Sequence, residues 1–308
     1  MSACVLRLLR VGRNVADLDR AQAFYRDALG FHAVDTTPER HPSWAQLPGL
    51  ENFAVRAVRM RLGDQEIELA EFDPPGAPYP RDSSASDLWL QHLAIVTNDM
   101  TAVHDCVIRH GATPITRDGP QTLPSGAGSV TAFKFRDPDG HPLEVIHFPP
   151  DTGDAIWQQP STAKDTLGID HTAISVADAD RSIEFYTDLP GMSQDKRQVN
   201  HGPEQQCLDA LAAVQVDVVA LRTTALRPPH IELLGYREPR GRALRSMAIP
   251  DIVADRTILQ VRDLAGCIEA ARAAPSHSLV AMGSVDDREA SRAAMLRDPD
   301  GHLLVLVE

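Results

Sequence analysis

The chain has 308 residues, 43% of them hydrophobic and 24% charged, which is enough length for two domains that each bury a core. Its formal net charge is −13, and Lys and Arg are nowhere gathered into a stripe, which argues against a nucleic-acid partner. No apolar run reaches the ~20 residues needed to cross a bilayer, and the opening MSACVLRLLR mixes charge into its apolar stretch, so neither a membrane span nor a signal peptide is expected.

In chain order, a short alternating strand leads to Asp17, which as N-cap opens a helix with Leu18, Ala21, Tyr25 and Leu29 at helical spacing. An IEL strand carrying Glu68 follows, then HLAIVTND, which runs from His92 to a second N-cap at Asp99. DPDG at Asp137–Gly140 predicts a tight hairpin turn before the strand HPLEVIHF, which contains Glu144. The Pro-, Gly- and Ser-containing stretch from about 151 to 165 reads as a linker. Beyond it the pattern returns: HTAISVAD from His171 to the N-cap Asp178, an IEL strand with Glu232, an N-cap at Asp263 and a second DPDG at Asp298–Gly301.

Val15 answers Val176 and Phe135 answers Leu296, an offset of 161 in both cases, while Glu68 and Glu232 differ by 164. Each half is itself double. The chain therefore parses into four βαβββ units, about 5–75, 88–150, 166–238 and 252–308, in two halves, 1–150 and 166–308. The expected class is α+β, with curled mixed sheets around clefts whose inner faces are lined by alternate strand residues. Residues 36–58 and 193–215 carry no readable motif and are expected to be loops over the clefts. Cys4, Cys106, Cys207 and Cys267 show no paired spacing; the last three fall in helical or apolar segments, as free buried thiols of a reducing cytoplasm would.

A lone strand histidine is more often structural than a ligand, and a lone strand glutamate usually faces water. Here the alternation argues otherwise. His92 shares a face with Ala94 and Val96, His171 with Ala173 and Ser175, Glu144 with Pro142 and Ile146, and Glu232 with His230 and Leu234. His141 and His302 follow the DPDG turns and are expected to be exposed; His147 lies on the strand face opposite Glu144. His41 and His201 fall in segments that could cover a cavity mouth.

The Phe24–Tyr25 and Phe185–Tyr186 helices, the DPDG hairpin followed by a Glu, and the strand-opening His resemble the vicinal-oxygen-chelate superfamily. That group includes glyoxalase I, methylmalonyl-CoA epimerase, fosfomycin- and bleomycin-resistance proteins, and extradiol ring-cleaving dioxygenases. The resemblance covers nearly the whole chain, with the linker and 193–215 fitting worst. It implies two glyoxalase-like domains and two ligand positions per unit: Arg10 and Glu68, His92 and Glu144, His171 and Glu232, Arg256 and Val305. Arg and Val cannot ligate a cation. Pairing of neighbouring units divides the remaining donors three and two; pairing of the inner units divides them four and one. The crossed arrangement, which the resemblance implies for four-unit glyoxalases, strands no buried ligand pair. It gathers His92, Glu144, His171 and Glu232 around one divalent ion, with Ni, Co, Mn, Fe and Zn all compatible. Glu68 is then expected to be neutralised by Arg10 or Arg256.

The resemblance implies a lyase or isomerase acting through a chelated enediolate on a small substrate with vicinal oxygens, with Glu144 or Glu232 as the base. An extradiol dioxygenase is the alternative, against which stands Arg256 where that branch has a histidine. A non-catalytic binding or resistance protein is the alternative of another class. No nucleic-acid or membrane partner is expected, and the chain is compatible with a monomer or a homodimer.

Overall fold

The computed structural model describes residues 5–34, 39–40, 42–159, 165–189, 191–244, 246–273, 278–285 and 290–308. The first unit contains β1 (Val5–Asn14), α1 (Leu18–Leu29), β2 (His32–Ala33), β3 (Glu39–Arg40), β4 (Ala54–Leu62) and β5 (Gln65–Asp73). The second contains β6 (Gln91–Thr97), α2 (Met100–Arg109), β7 (Thr113–Pro114), β8 (Gln121–Thr122), β9 (Thr131–Arg136) and β10 (Pro142–His147). The third contains β11 (Thr166–Val176), α3 (Ala179–Thr187), β12 (Ser193–His201), α4 (Pro203–Asp209), β13 (Gln215–Arg222) and β14 (His230–Glu238). The fourth contains β15 (Arg256–Val261), α5 (Leu264–Ala273), β16 (Ser278–Ser284), β17 (Arg292–Arg297) and β18 (Leu303–Val307).

The helix starts follow the side chains that were expected to open them. Asp17, Asp99, Asp178 and Asp263 each accept a backbone N–H three residues on, from Arg20, Ala102, Arg181 and Gly266. Each such bond satisfies one of the donors that a helix N-terminus leaves over. At the other end of α1, Gly30 takes a positive φ of 78° and returns its N–H to the Arg26 carbonyl.

Among the described residues the strands form two nine-stranded sheets. One runs β16-β17-β18-β15-β1-β5-β4-β2 with β3 beside β4, and so joins the first and fourth units. The other runs β12-β13-β14-β11-β6-β10-β9-β7 with β8 beside β9, and joins the second and third. The units therefore pair in the crossed manner. The seams match: Gly12 faces Arg256 across β1–β15, and Ala173 faces His92 across β11–β6.

Strand alternation then sorts the side chains. Leu93, Ile95, Leu143, Val145, Ile231 and Leu233 point into a large core shared with α1, α2 and α3 residues such as Tyr25, Val103 and Phe185. Their odd-even neighbours, His92, Glu144 and Glu232 among them, point to the opposite, concave face. The two sheets are tied to each other across that shared core. The Tyr25 hydroxyl lies 3.1 Å from Asp137 Oδ2 in the turn of the next unit, and the Tyr186 hydroxyl 3.2 Å from Asp298 Oδ2.

Three expectations are corrected. His141 and His302 are buried rather than exposed, because each closes its DPDG turn by donating its N–H to Asp137 or Asp298 and turns its ring inward. The His141 ring bridges Asp137 Oδ2 and the Ile252 carbonyl at 3.0 Å each, and the His302 ring contacts the Ser175 carbonyl at 3.0 Å. Residues 193–215 are not a loop: they form β12 and α4, the latter begun by Gly202–Pro203, a helix-start signal legible in the sequence. Cys267 is buried as expected, but Cys106 and Cys207 are half-buried, and Cys4 and His41 lie outside the described residues.

Candidate metal centre

His92 is the second residue of β6, Glu144 sits mid-way along β10, His171 lies on β11 and Glu232 on β14; these four strands are neighbours in the sheet of the inner units. The concave face brings all four side chains together. His92 Nε2 is 3.0 Å from Glu144 Oε2, His171 Nε2 is 3.7 Å from the same oxygen, and His171 Nε2 is 3.5 Å from Glu232 Oε2. Donor atoms of His92, Glu144 and His171 all lie within 4.8 Å of one another. The imidazoles are nearly edge-to-face, their centroids 5.7 Å apart.

Two further groups complete the cluster. Asp170 Oδ2 is 2.9 Å from His171 Nδ1, and Trp157 Nε1 donates to Asp170 Oδ1 at 2.6 Å. A carboxylate on Nδ1 fixes the tautomer that leaves Nε2 free to donate its lone pair, the arrangement expected behind a metal-bound histidine. His230 Nε2 lies 3.5 Å from Glu232 Oε1, with its ring centroid 5.4 Å from that of His171. Strand alternation had already placed His230 beside Glu232. Asp170 gave no such signal, since a neighbour of His171 should face the other way. A register irregularity between Ile169 and His171 in β11 lets both side chains reach the same cavity. Trp157 comes from the stretch expected to be a linker, so that stretch also braces the site.

The electrostatics follow from burial competing with neighbours. Burial pushes the His92 pKa down in spite of Glu144, which keeps the ring neutral. For His171 burial is outweighed by Glu232, Asp170 and Glu144, and the pKa rises well above the ordinary histidine value. Burial would raise the Glu144 pKa, but Lys134 and the two histidines hold it well below the usual carboxylate range. Against the same opposition of burial, Glu232 is lowered by His171 and His230, and Asp170 is held at about 2, chiefly by His171. Three ionised carboxylates and the His92 imidazole match the donor set of a divalent cation, which would displace the proton that the same carboxylates favour on His171. Among the described residues the groups spaced to hold such an ion are His92, Glu144 and His171, and Asp170, His171 and His230, with Glu232 adjoining both through His171 and His230.

The cluster forms the floor of a cavity of ≈ 240 Å³. Leu123, Val130, Ile146, Val218 and Leu234 line apolar walls; Asp195, Gln198 and Asn200 of β12 stand with Arg222 among the polar lining residues. The 193–215 segment therefore does line the cavity, although His201 is exposed and is not one of the lining residues. His147 faces away, its ring 3.1 Å from the Thr97 carbonyl.

The corresponding positions of the other sheet hold Arg10, Arg256, Glu68 and Val305, and no cluster of metal-ligand type forms there among the described residues. Glu68 is fully buried, with Arg10 Nε at 3.4 Å and an Arg256 guanidinium nitrogen at 4.0 Å, so the expected neutralisation by arginine is observed. Trp44 was not foreseen. Its Nε1 donates to Glu68 Oε1 at 2.6 Å, and the Arg256 guanidinium carbon lies 4.0 Å over its ring. Trp44, Leu47 and Leu50 pack with Phe72, Ile258 and Val305, so residues 43–50 enter the concave face of this sheet instead of covering a substrate cleft. Burial pushes the Arg256 pKa down to about 10 despite Glu68 and Asp255.

Comparison with known proteins agrees with this architecture. A lactoylglutathione lyase from Haemophilus influenzae is 27% identical over 141 residues, 46% of this chain and 92% of that protein. The crystal structure of glyoxalase I from Zea mays matches with a TM-score of 0.64 at 19% identity, covering 98% of this chain and 92% of that one. A putative dioxygenase from Bacillus subtilis matches with a TM-score of 0.58 at 15% identity, covering 99% and 85%. At those identities the two structures speak to the fold alone. The profile of the Glyoxalase/Bleomycin resistance protein/Dioxygenase superfamily matches twice, over residues 7–145 and 168–306, and the chain belongs to that superfamily.

Proposed function

We propose that the chain is a divalent-metal-dependent, glyoxalase I-like lyase or isomerase with a single working site, built by the inner units of its two halves, 1–150 and 166–308. The observation that carries this reading is the convergence of two imidazole Nε2 atoms and two carboxylates, from four neighbouring strands, at the floor of one cavity. His92, Glu144, His171 and Glu232 would hold the ion, which when bound supplies a Lewis acid that polarises a substrate carbonyl. Asp170, braced by Trp157, orients His171.

Proton transfer falls to a carboxylate. Glu232 is the better placed: its side chain is 19% exposed against 8% for Glu144, and its contacts are at 3.5 Å where Glu144 has a 3.0 Å hydrogen bond to His92. It would take a proton from the carbon beside a carbonyl and return it to the adjacent carbon, with Glu144 left as a ligand.

Elemental analysis of the purified chain, followed by NMR of α-hydroxycarbonyl substrates in D2O, tests the reading. One equivalent of a transition metal and metal-dependent deuterium incorporation at the carbonyl-adjacent carbon are expected. Coloured ring-opening products from catechols after anaerobic Fe(II) loading would assign it to dioxygenase chemistry instead, and absence of bound metal would favour a sequestering protein.

A further inference from the structure

The polar groups of the cavity beyond the four candidate ligands carry information about substrate charge, on the basis of the function proposed above. Three non-histidine cations line the cavity: Lys134, Lys196 and Arg222. Lys196 is exposed, and Arg222 is engaged by Asp195 at 3.1 Å, with Asp154 at 3.9 Å. Lys134 is different. It is 7% exposed and stands directly opposite Glu144 in the β9–β10 pairing, on the wall that carries that candidate ligand.

The Lys134 ammonium donates to Asp209 Oδ1 at 2.7 Å. The other oxygen of Asp209 accepts from Gln205 Nε2 at 2.8 Å and from the Tyr236 hydroxyl at 3.0 Å. Helix α4, which carries Asp209, is fastened to the second unit by Thr116 Oγ1 on the Leu208 carbonyl and by Arg117 on the Gln206 and Leu211 carbonyls. The lysine is therefore held in place by both halves of the chain. An ammonium has three donors, and Asp209 takes one; among the described residues it is the hydrogen-bond partner of Nζ. The pair lines the cavity beside the candidate ligands, where Lys134 also acts on Glu144 and Glu232, so the donors that Asp209 leaves over belong to the cavity wall.

We propose that Lys134 is a specificity-determining residue that binds an anionic oxygen of the substrate, so that the site takes a small hydroxy- or oxo-acid with a carboxylate close to its vicinal oxygens. Neutral aldehydes and ketones then bind less well, since they leave the ammonium without a second acceptor.

The test is calorimetric titration of the metal-loaded full chain with malate and with its C4 amide, which share a vicinal hydroxyl and carboxylate and differ in the distal charge. Malate is expected to bind about tenfold more tightly than the amide. In Lys134→Met/Asp209→Asn, which removes the ion pair whole and is compared at the same metal content as wild type because Lys134 also acts on Glu144, the ratio falls to about one. Equal binding of the two probes by the wild type, a ratio that survives in the double variant, or an equal loss of both probes would overturn the inference and leave the proposed function standing. Failure of either probe to bind once metal is held would overturn the inference alone, and failure of the chain to hold metal would overturn both.

Discussion

The two sheets have the same strand order, matching antiparallel seams and a glutamate at the same register, yet one encloses a polar cavity and the other an apolar plug. Glu232 and Glu68 are counterparts. The first faces His171 and His230 in a cavity, and the second is sealed under Trp44 between two arginines. A curled sheet thus supplies only positions. Whether a position ligates is set by a few side chains, Arg10 and Arg256 against His171 and His92, and by whether residues 43–50 fill the concavity.

That contrast can be broken by experiment, beginning with the largest effect. Replacing His171 with Ala should remove the bound metal and lower turnover by about a thousandfold or more, the several kcal/mol that a Lewis acid contributes. Glu68→Gln, at the counterpart site, should leave metal content unchanged. Elemental analysis of both variants decides the point, and equal metal loss in the two would end the distinction between the sheets.

Trp44→Ala should reverse the pattern. Opening the plug costs about 3–5 kcal/mol of unfolding free energy in denaturant titrations, while metal stoichiometry per folded molecule stays at its original value. Asp170→Asn should fall between these cases: chelator competition is expected to show metal affinity reduced by about 10–100-fold, the usual cost of losing the partner of a ligating histidine.

The smallest effect separates the twin DPDGH turns. Burial opposes ionisation of Asp137, but His141 and Arg13 outweigh it and hold its pKa at about 2. In Asp298 burial prevails over His302 and the pKa is raised; Ile174 occupies the place that Arg13 has in the first half. A carboxylate lowered on folding contributes stability that is complete above its unfolded pKa of about 3.9 and is lost as the pH falls toward about 2. Asp137→Asn should therefore flatten the acid limb of the stability profile by about 2 kcal/mol, and Asp298→Asn should not. Urea titrations between pH 6 and pH 2 measure both.

Much of this was legible in the amino-acid sequence. The N-cap aspartates, the DPDG turns and the 161-residue offset define four units because capping, turn chemistry and helical spacing are local physics. Strand alternation placed His92, Glu144, His171 and Glu232 on inward faces, and also put His230 beside Glu232. Lys134 and Asp209 were missed because they meet only when β9 of one half receives α4 of the other. His141 and His302 were misread because each ring turns inward from a partly exposed turn, His141 onto Asp137 and the Ile252 carbonyl and His302 onto the Ser175 carbonyl.

By itself, then, the sequence determined the units, their helix starts and the faces on which the candidate ligands lie, since periods of two and 3.6 residues act within one element. Which units share a sheet, that Trp44 plugs one concavity and that a bulge brings Asp170 behind His171 were decided by tertiary structure. Those outcomes depend on contacts between segments far apart in the chain, which local patterns leave open.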